Sequence, residues 1–178
     1  DCPESRGLGD VYKRQGKAIA QKNNATIIPP FDDVNVIIGQ GTAGIECLEQ
    51  LEEINVIPDI VLCCCGGGGL IAGISTAIKT KFDNAKIYSV EPEYFDDTKI
   101  SLEKNKIVSN SMKHKSICDA LLAEKPGNIT FNINKINLTS GVSVSDDEAL
   151  IAMNTAFKHF KIVLEPGGAV ALAAAISE

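Results

Sequence analysis

Four consecutive glycines, Gly66, Gly67, Gly68 and Gly69, are the residues whose type and spacing point most directly to chemistry. They follow an apolar run at residues 60–65 and precede a stretch whose apolar residues recur at helical spacing, beginning at Leu70. Glycine lets the backbone approach a ligand and take positive φ, and the free N–H groups at a helix start attract an anion. The pattern predicts a phosphate site between a buried strand and a helix. A tight strand-to-helix turn without a ligand is the alternative interpretation.

An acidic turn at residues 91–97 follows the next apolar run, residues 86–91. Ligands of parallel α/β sheets gather at the carboxyl ends of the strands, so this turn and the glycine loop are expected at the same edge. Carboxylate and carbonyl oxygens are the ligands that hard cations prefer. Glu91, Asp96 and Asp97 are therefore candidate cation ligands, with a simple solvated turn as the alternative.

A dinucleotide site is the natural competitor for any glycine loop. Its Gly-x-Gly-x-x-Gly spacing is met only loosely here, and Glu91 is the one acidic residue that follows at the end of a strand about 20 residues on. The two histidines, His114 and His159, are isolated in the sequence, and His159 is expected on the surface of a helix. No serine, cysteine or histidine grouping predicts a nucleophilic triad.

Alternating strand and helix patterns predict an α/β domain with a parallel sheet that positions these loops. Strands are expected at residues 25–28, 60–65, 86–91 and 137–142. A helix that opens after Asp33 is expected to break at residues 39–42, which carry two glycines, and to resume over 43–54. A capping box of Ser145 and Glu148 predicts a further helix start. The inner face of that helix is expected to consist of Leu150, Met153, Phe157 and Phe160.

Composition bounds the class of protein. The chain has 178 residues, 44% of them hydrophobic, and a formal net charge of −6, which argues against nucleic-acid and anionic-membrane partners. No apolar run reaches the roughly 20 residues that span a bilayer. Six cysteines without a Cys-x-x-Cys pair, three of them adjacent at positions 63–65, suit small buried residues in a reducing compartment. The cytoplasm is the expected location.

The first fifteen residues differ from the rest of the chain in their amino-acid composition. They lack an initial Met and contain both arginines, Arg6 and Arg14, whereas every later basic residue other than histidine is a lysine. Residues 1–15 are interpreted as a non-native leader that resembles a translated sequencing-adapter scar; a flexible native tail is the alternative. Because the final helical pattern stops at Glu178, the chain is expected to be an internal fragment of a longer protein.

Five short motifs then occur in a familiar order. They are Gly39-Gln-Gly-Thr42, Cys65-Gly-Gly-Gly-Gly-Leu-Ile-Ala-Gly73, Val90-Glu-Pro92 with Asp96-Asp97, Asp119-Ala-Leu121, and Leu164-Glu-Pro-Gly-Gly-Ala169. Together they resemble the pyridoxal-phosphate-dependent serine/threonine dehydratase and serine racemase family of fold type II, over nearly everything from residue 16 to residue 178. The resemblance implies the three-layer, parallel-sheet large domain of the tryptophan synthase beta-like enzymes, truncated at both ends. Residues 16–36 would be a remnant of the small domain, and residues 37–178 most of the large, cofactor-binding domain.

The resemblance also implies roles for individual residues. Gly66, Gly67, Gly68, Gly69 and Leu70 would hold the phosphate of pyridoxal 5'-phosphate through backbone N–H groups. A divalent cation, Mg²⁺ or Ca²⁺, would bind Glu91, the carbonyl of Phe95, and Asp97. Glu165 would lie close to the cofactor ring, and Ala120 replaces a glycine that many relatives have beside the cofactor.

The activity implied is that of a threonine/serine ammonia-lyase, which converts a small hydroxy amino acid to a 2-oxoacid and ammonia. Serine racemase and hydroxyaspartate dehydratase are alternatives within the family, and a non-catalytic phosphate- or nucleotide-binding module is one outside it. The family's Schiff-base lysine lies upstream of residue 16, so this chain is expected to contain no catalytic residue and to be inactive alone. The full-length protein is expected to be a homo-oligomer.

Overall fold

The sheet of this protein has three parallel strands in the order β1-β2-β3. The computed structural model describes residues 15–111 and 113–177, so the predicted leader, apart from residue 15, lies outside the described residues. The elements in chain order are α1 (15–23), α2 (Val34–Glu53), β1 (Ile60–Cys64), α3 (Gly69–Lys81), β2 (Lys86–Pro92), α4 (Asp97–Glu103), a 3₁₀ turn (Asp119–Leu121), α5 (Asn128–Asn137), β3 (Ser140–Val144), α6 (Asp146–Thr155), a π-helical turn (Ala156–Phe160) and α7 (Pro166–Ile176). The predicted α/β class with a parallel sheet is confirmed.

Helices cover both faces of the sheet, which gives three layers. On one face Cys63, Cys65 and Ile87 pack with Ile71 and Ile78 of α3 in a buried cluster. On the other face Val90 and Val144 pack with the small buried residues of α6 and α7, and Cys64 lies against this second cluster. The three adjacent cysteines thus alternate between the two faces, because neighbouring residues of a strand point to opposite sides.

The glycines at positions 39–42 do not break a helix, so that prediction was wrong. α2 runs without interruption from Val34 to Glu53, and Asp33 caps its start by accepting the N–H of Asn35 at 2.8 Å. Glycine in a helix interior costs roughly 0.5–1 kcal/mol relative to alanine. Close packing offsets that cost here: a Cβ on Gly41 would lie 3.3 Å from the Gly73 carbonyl oxygen of α3.

Two other local predictions were also wrong. Residues 25–28 are exposed and form no strand, because within the described residues no neighbouring strand pairs with them. The inner face of α6 and the turn that follows it is built mainly from alanines; of the four residues predicted there, Met153 is half-buried and packs against the core, and the other three do not. Leu150, Phe157 and Phe160 are half exposed or more (50%, 62% and 59%), whereas Ala149, Ala152 and Ala156 are fully buried. Small residues allow α6 to approach α7, which itself contributes Ala169 and Ala173.

The predicted capping box at the start of α6 is confirmed, and it also reaches the end of α7. Glu148 accepts the Ser145 backbone N–H at 2.7 Å and the Ser177 hydroxyl at 2.8 Å, while the Ser145 hydroxyl accepts the Glu148 N–H at 3.3 Å. These hydrogen bonds, from the Ser145 backbone first, lower the pKa of Glu148 from its ordinary value of 4.5. The carboxylate therefore ties the two helices together.

Replacing Glu148 with Gln is expected to lower the free energy of unfolding at pH 7 and to change it little at pH 3. A carboxyl group whose pKa is lowered in the folded state contributes stability above its unfolded value of about 4.5 and loses that contribution as the pH falls through the folded value. Urea unfolding of Glu148→Gln and of the native chain at pH 7 and pH 3 measures this difference. Asp147→Asn, an exposed neighbour in the same turn, is the control; an equal effect of both substitutions would contradict the prediction.

Candidate anion site at the glycine loop

The four glycines connect the carboxyl end of β1 to the first turn of α3, as predicted. The Cys65 N–H still bonds to the Val90 carbonyl at 2.9 Å, so the loop leaves the sheet only after this residue. Gly68 occupies the N-cap of α3 with φ of 89°, a left-handed conformation that favours glycine. Gly69 and Leu70 are the first two residues of the helix, and Leu70 is 39% exposed. The backbone has the form that an anion site at a helix start requires.

The N–H groups of this loop are free within the described part of the chain. None of the backbone N–H groups of residues 66–69 donates to a backbone or side-chain acceptor there, and no side chain caps the helix. The carbonyl oxygens are occupied: Gly67 O accepts the Thr130 hydroxyl at 2.8 Å, and Gly68 O accepts the Asn134 amide at 3.3 Å. Unpaired N–H groups at a helix N-terminus attract negative charge, so the loop can bind a phosphate.

Three further segments close around the loop. The Phe31 ring lies where a Cβ on Gly67 would be, 2.3 Å from that position. A Cβ on Gly66 would lie 3.4 Å from the Leu121 Cα, and one on Gly167 would lie 3.3 Å from the Ala120 Cβ. The structure thus brings together three of the sequence motifs, those at residues 65–73, 119–121 and 164–169.

Glu165 is exposed at the N-cap of α7 and makes no capping hydrogen bond. Burial raises the pKa of the Cys64 thiol in β1, and the negative charge of the Glu165 carboxylate raises this pKa further. The Cys64 sulfur lies 3.6 Å from the Gly168 carbonyl oxygen, so the start of α7 is beside β1. Glu165 therefore lies at the same edge of the sheet as the glycine loop.

The acidic turn contains two buried carboxyl groups. Glu91 is fully buried and accepts the backbone N–H groups of Thr98 at 2.8 Å and Lys99 at 2.9 Å, both in the first turn of α4. Asp97 is 1% exposed; its Oδ1 accepts the Asn110 amide at 2.6 Å, and its Oδ2 is buried without a partner in the described part of the chain. Burial, followed by the charge of Asp97, raises the pKa of Glu91 well above its usual range, and burial raises the pKa of Asp97 to about 7.

Phe95 lies between these carboxyl groups in the chain and is 2% exposed. Within the described residues no backbone N–H donates to its carbonyl oxygen. Asp96 instead turns to β3, where it accepts the Ser143 hydroxyl at 2.8 Å and lies 3.6 Å from the Lys99 ammonium. No group of three or more His, Cys, Asp or Glu side chains in residues 15–111 and 113–177 is arranged to bind a metal. A cation would therefore need main-chain oxygen and water in addition to Glu91 and Asp97.

Four residues that contact the loop or the segments around it were missed by sequence reasoning: Phe31, Asp32, Thr130 and Asn134. Thr130 and Asn134 lie 63 and 66 positions beyond the glycines that they contact. Their four-residue spacing on one helix is the only sequence signal that would have grouped them.

The two histidines lie outside this site. His159 is exposed, as predicted, and His114 stacks on the Tyr94 ring with centroids 4.0 Å apart. No helix of the described residues combines the length and apolar character needed to cross a membrane.

Comparison with known proteins agrees with this geometry. The sequence model of the family described as "Pyridoxal-phosphate dependent enzyme" matches residues 5–178. The serine racemase of Dictyostelium discoideum is 36% identical over 163 residues, covering 91% of this chain and 49% of that protein. The L-threonine ammonia-lyase of Thermotoga maritima is 33% identical over 173 residues, covering 96% of this chain and 42% of that protein. The chain thus spans about half the length of these curated relatives.

Solved structures give the same relationship. The crystal structure of a threonine deaminase from the organism abbreviated T.th. superposes with a TM-score of 0.88 at 38% identity, covering 91% of this chain and 55% of that one. The crystal structure of the D. discoideum serine racemase gives a TM-score of 0.81 at 34% identity, covering 93% of this chain and 51% of that one. The predicted fold of the type II enzymes is confirmed.

Proposed function

The chain belongs to the pyridoxal-phosphate-dependent enzyme family, and on that premise we propose that it forms the phosphate-binding part of a threonine/serine ammonia-lyase. The observation that carries the proposal is the row of N–H groups at residues 66–69 that find no acceptor within the described residues, at the start of α3 and at the carboxyl edge of the sheet. A phosphate dianion supplies the acceptors that these donors lack. Residues 37–178 are assigned to the large domain, and residues 16–36 to the end of the small domain.

The residues present fit the cofactor's phosphate. The backbone of the loop comes close to any ligand because no Cβ intervenes, and Gly68 and Gly69 are buried, which keeps water from competing for their N–H groups. Pyridoxal phosphate, when bound, supplies the electron sink for bond cleavage at the α-carbon of an amino acid. Leu70 contributes a further N–H, and Glu165 a negative charge at the same edge of the sheet. This chain's part is to bind and orient the cofactor's phosphate end.

Titration of the purified chain with pyridoxal phosphate and with pyridoxal, followed by calorimetry, tests the proposal. The phosphate-bearing compound is expected to bind at least ~10-fold more tightly, because an anion on several charge-assisted hydrogen bonds gains more than about 1.4 kcal/mol. Equal binding of the two compounds would rule out the glycine loop as the phosphate site. Tighter binding of a nucleoside phosphate than of pyridoxal phosphate would favour the non-catalytic nucleotide module instead.

Catalysis by the chain alone is not expected. The family resemblance implies a Schiff-base lysine in a motif that is not found in residues 16–178, and the residues described in this site offer no replacement for it. We therefore expect no ammonia from L-threonine or L-serine when the chain is supplied with pyridoxal phosphate. Sustained ammonia release, measured by a coupled glutamate dehydrogenase assay, would contradict this prediction.

Serine racemase is the second candidate function, because the relatives at similar identity include both named activities. Hydroxyaspartate dehydratase is a third activity within the same family. A small hydroxy amino acid is the substrate in each case, and the full-length protein is proposed to be a cytoplasmic homo-oligomer. Measuring ammonia and D-serine formed from L-serine by the complete gene product separates lyase from racemase. Excess D-serine over ammonia would favour the racemase.

We further propose that Glu91, the Phe95 carbonyl and Asp97 hold a divalent cation. The support is the buried Oδ2 of Asp97, which has no hydrogen-bond partner in residues 15–111 and 113–177 and lies beside a second buried carboxyl group. Buried carboxyl groups require a proton, a positive partner or a metal. Oxygen ligands of this kind suit Mg²⁺ and Ca²⁺.

Addition of Mg²⁺ or Ca²⁺ at pH 7.5 is expected to raise the thermal midpoint of the chain. Binding at ten times Kd contributes about 1.4 kcal/mol, or roughly 3–6 °C for a chain of this size. Asp97→Asn is expected to abolish the shift, and Glu93→Gln, an exposed acid of the same turn, is expected to retain it. A shift that persists in Asp97→Asn would place the cation elsewhere.

A further inference from the structure

Helix α5 and its N-cap residue Gly127 donate hydrogen bonds to two carbonyl oxygens of the glycine loop. The Thr130 hydroxyl donates to Gly67 O at 2.8 Å, and the Gly127 N–H donates to the same oxygen at 3.2 Å. The Asn134 amide donates to Gly68 O at 3.3 Å, and the Ala72 N–H of α3 donates to it at 3.0 Å. Two successive carbonyl groups of the loop are thus each held by two donors.

Because the peptide unit is planar, fixing a carbonyl group also fixes the direction of the N–H group in the same unit. In a trans peptide the C=O of one residue and the N–H of the next point in opposite directions. Holding Gly67 O and Gly68 O toward α5 therefore turns the N–H groups of Gly68 and Gly69 away from α5. These are the N–H groups that find no acceptor in the described residues.

The burial of Asn134 indicates that its side-chain amide serves to hold the Gly68 carbonyl oxygen. Asn134 is fully buried, and its Oδ1 has no hydrogen-bond partner among the described residues. An unpaired buried polar atom costs roughly as much as a lost hydrogen bond, so an apolar side chain would suit the packing better. The amide nitrogen also fills the space beside Gly68, 2.8 Å from where a Cβ would lie.

Asp32 fixes the helix from which these side chains extend. Its Oδ2 accepts the Asn128 N–H at 3.0 Å, and its Oδ1 accepts the N–H groups of Ile129 at 2.7 Å and Thr130 at 3.3 Å. A carboxylate on the first N–H groups of a helix is a strong cap. Thr130 and Asn134, one turn apart on the same face, are therefore held in place relative to the loop.

We propose that Thr130 and Asn134 are positioning residues that aim the N–H groups of Gly68 and Gly69 at the bound anion. This inference rests on the proposed function of the glycine loop as a phosphate site. A purely structural role, in which the two side chains only satisfy buried carbonyl groups, is the alternative. In a variant that still folds, a positioning role predicts weaker anion binding, whereas a purely structural role predicts unchanged binding.

The test measures the affinity of the native chain, Thr130→Val, Thr130→Ser and Asn134→Leu for pyridoxal phosphate and for inorganic phosphate. Each is titrated with both probes while ¹⁵N-edited NMR follows the amide resonances of Gly68 and Gly69. Thr130→Val keeps the shape of the side chain but removes the donor, and Thr130→Ser keeps the donor. Thr155→Val is the matched control, because the Thr155 hydroxyl also bonds to a helix carbonyl, that of Ile151 at 2.9 Å, far from the loop in sequence.

We expect Thr130→Val and Asn134→Leu each to weaken the binding of both probes about 5- to 10-fold, in keeping with the loss of one buried hydrogen bond. The phosphate-induced shifts of the Gly68 and Gly69 amides should shrink in these variants. Thr130→Ser and Thr155→Val should bind within twofold of the native chain. Such a pattern, with native-like amide spectra away from the loop, supports a positioning role.

Binding by Thr130→Val and Asn134→Leu within twofold of the native chain would overturn the inference and leave the phosphate site standing. Failure of the native chain itself to bind either probe would instead overturn the proposed function. Should Thr130→Val not fold, Thr130→Ser and Asn134→Leu decide. Native affinity in Asn134→Leu or a 5-fold loss in Thr130→Ser then counts against the proposal.

Discussion

Replacing Gly68 with alanine is expected to lower the affinity of the chain for pyridoxal phosphate by about 100-fold. Gly68 has φ of 89°, where a Cβ clashes with the backbone, and this strain costs roughly 1–2 kcal/mol. The added Cβ would also lie 2.8 Å from the Asn134 amide nitrogen and 3.2 Å from the Thr130 Cβ. The loop must rotate to relieve both contacts, which turns the N–H groups of Gly68 and Gly69 away from the phosphate.

The magnitude follows from the number of donors lost. A hydrogen bond to a charged group contributes about 1.5–3 kcal/mol, so misdirecting two N–H groups costs about 3 kcal/mol or more. Every 1.4 kcal/mol is tenfold in affinity, so 100-fold is the lower end of the expected loss. Calorimetric titration with pyridoxal phosphate measures it directly.

Gly39→Ala is the control for this experiment. Gly39 lies on the exposed side of α2, and a Cβ there would meet nothing within 4 Å. This variant should bind pyridoxal phosphate as the native chain does. Circular dichroism establishes whether Gly68→Ala retains its helices, since a folded variant that binds within threefold of the native chain would contradict the role of Gly68 in the site.

The glycine loop could be predicted because everything that defines it is contiguous in the sequence. A strand, a run of glycines and a helix start follow one another, and their order already fixes where the free N–H groups lie. The residues that orient the loop could not be predicted in this way. Thr130 and Asn134 reach it from a helix that Asp32 caps, and only the folded chain brings these residues to the loop.

The acidic turn shows a different limit of sequence reasoning. The sequence identifies Glu91 and Asp97 as carboxyl groups that follow a strand, but not which way they point. Both turn into the protein, where Glu91 caps the first turn of α4 and Asp97 bonds to Asn110. Asp96, a neighbour of the same chemical type, points to Ser143 on β3 instead. Side-chain direction at a turn depends on φ and ψ, which residue type alone does not determine.

Helix α2 differs from its prediction because glycine does not break a helix at every position. Intrinsic propensity is a weak preference of at most about 1 kcal/mol for glycine, and tertiary packing overrides it. In α2 the packing partner is another glycine, Gly73 of α3, so the two helices approach at a point where neither has a side chain. The sequence contains both halves of this contact, 32 positions apart, without a pattern that pairs them.

Gly73→Ala is accordingly expected to be among the most destabilising single methyl additions in this chain. A Cβ at this position would lie 2.5 Å from both the Gly41 nitrogen and the Ile37 carbonyl oxygen, and 2.8 Å from the Gln40 carbonyl carbon. All three are backbone atoms, so no side-chain rotation relieves the contact and α2 must move away from α3. Overpacking of this kind costs about 3 kcal/mol, which corresponds to a fall of roughly 6–12 °C in the thermal midpoint.

Gly39→Ala again provides the matched comparison, because it makes the same chemical change in α2 at a site with open space around it. It should stabilise the chain by about 0.5–1 kcal/mol, since alanine loses less backbone entropy than glycine on entering a helix. Thermal unfolding of the two variants side by side therefore separates helix propensity from helix contact. If Gly73→Ala unfolded at or above the midpoint of the native chain, α2 and α3 would not be in backbone contact, and the uninterrupted helix across residues 39–42 would lose its physical explanation.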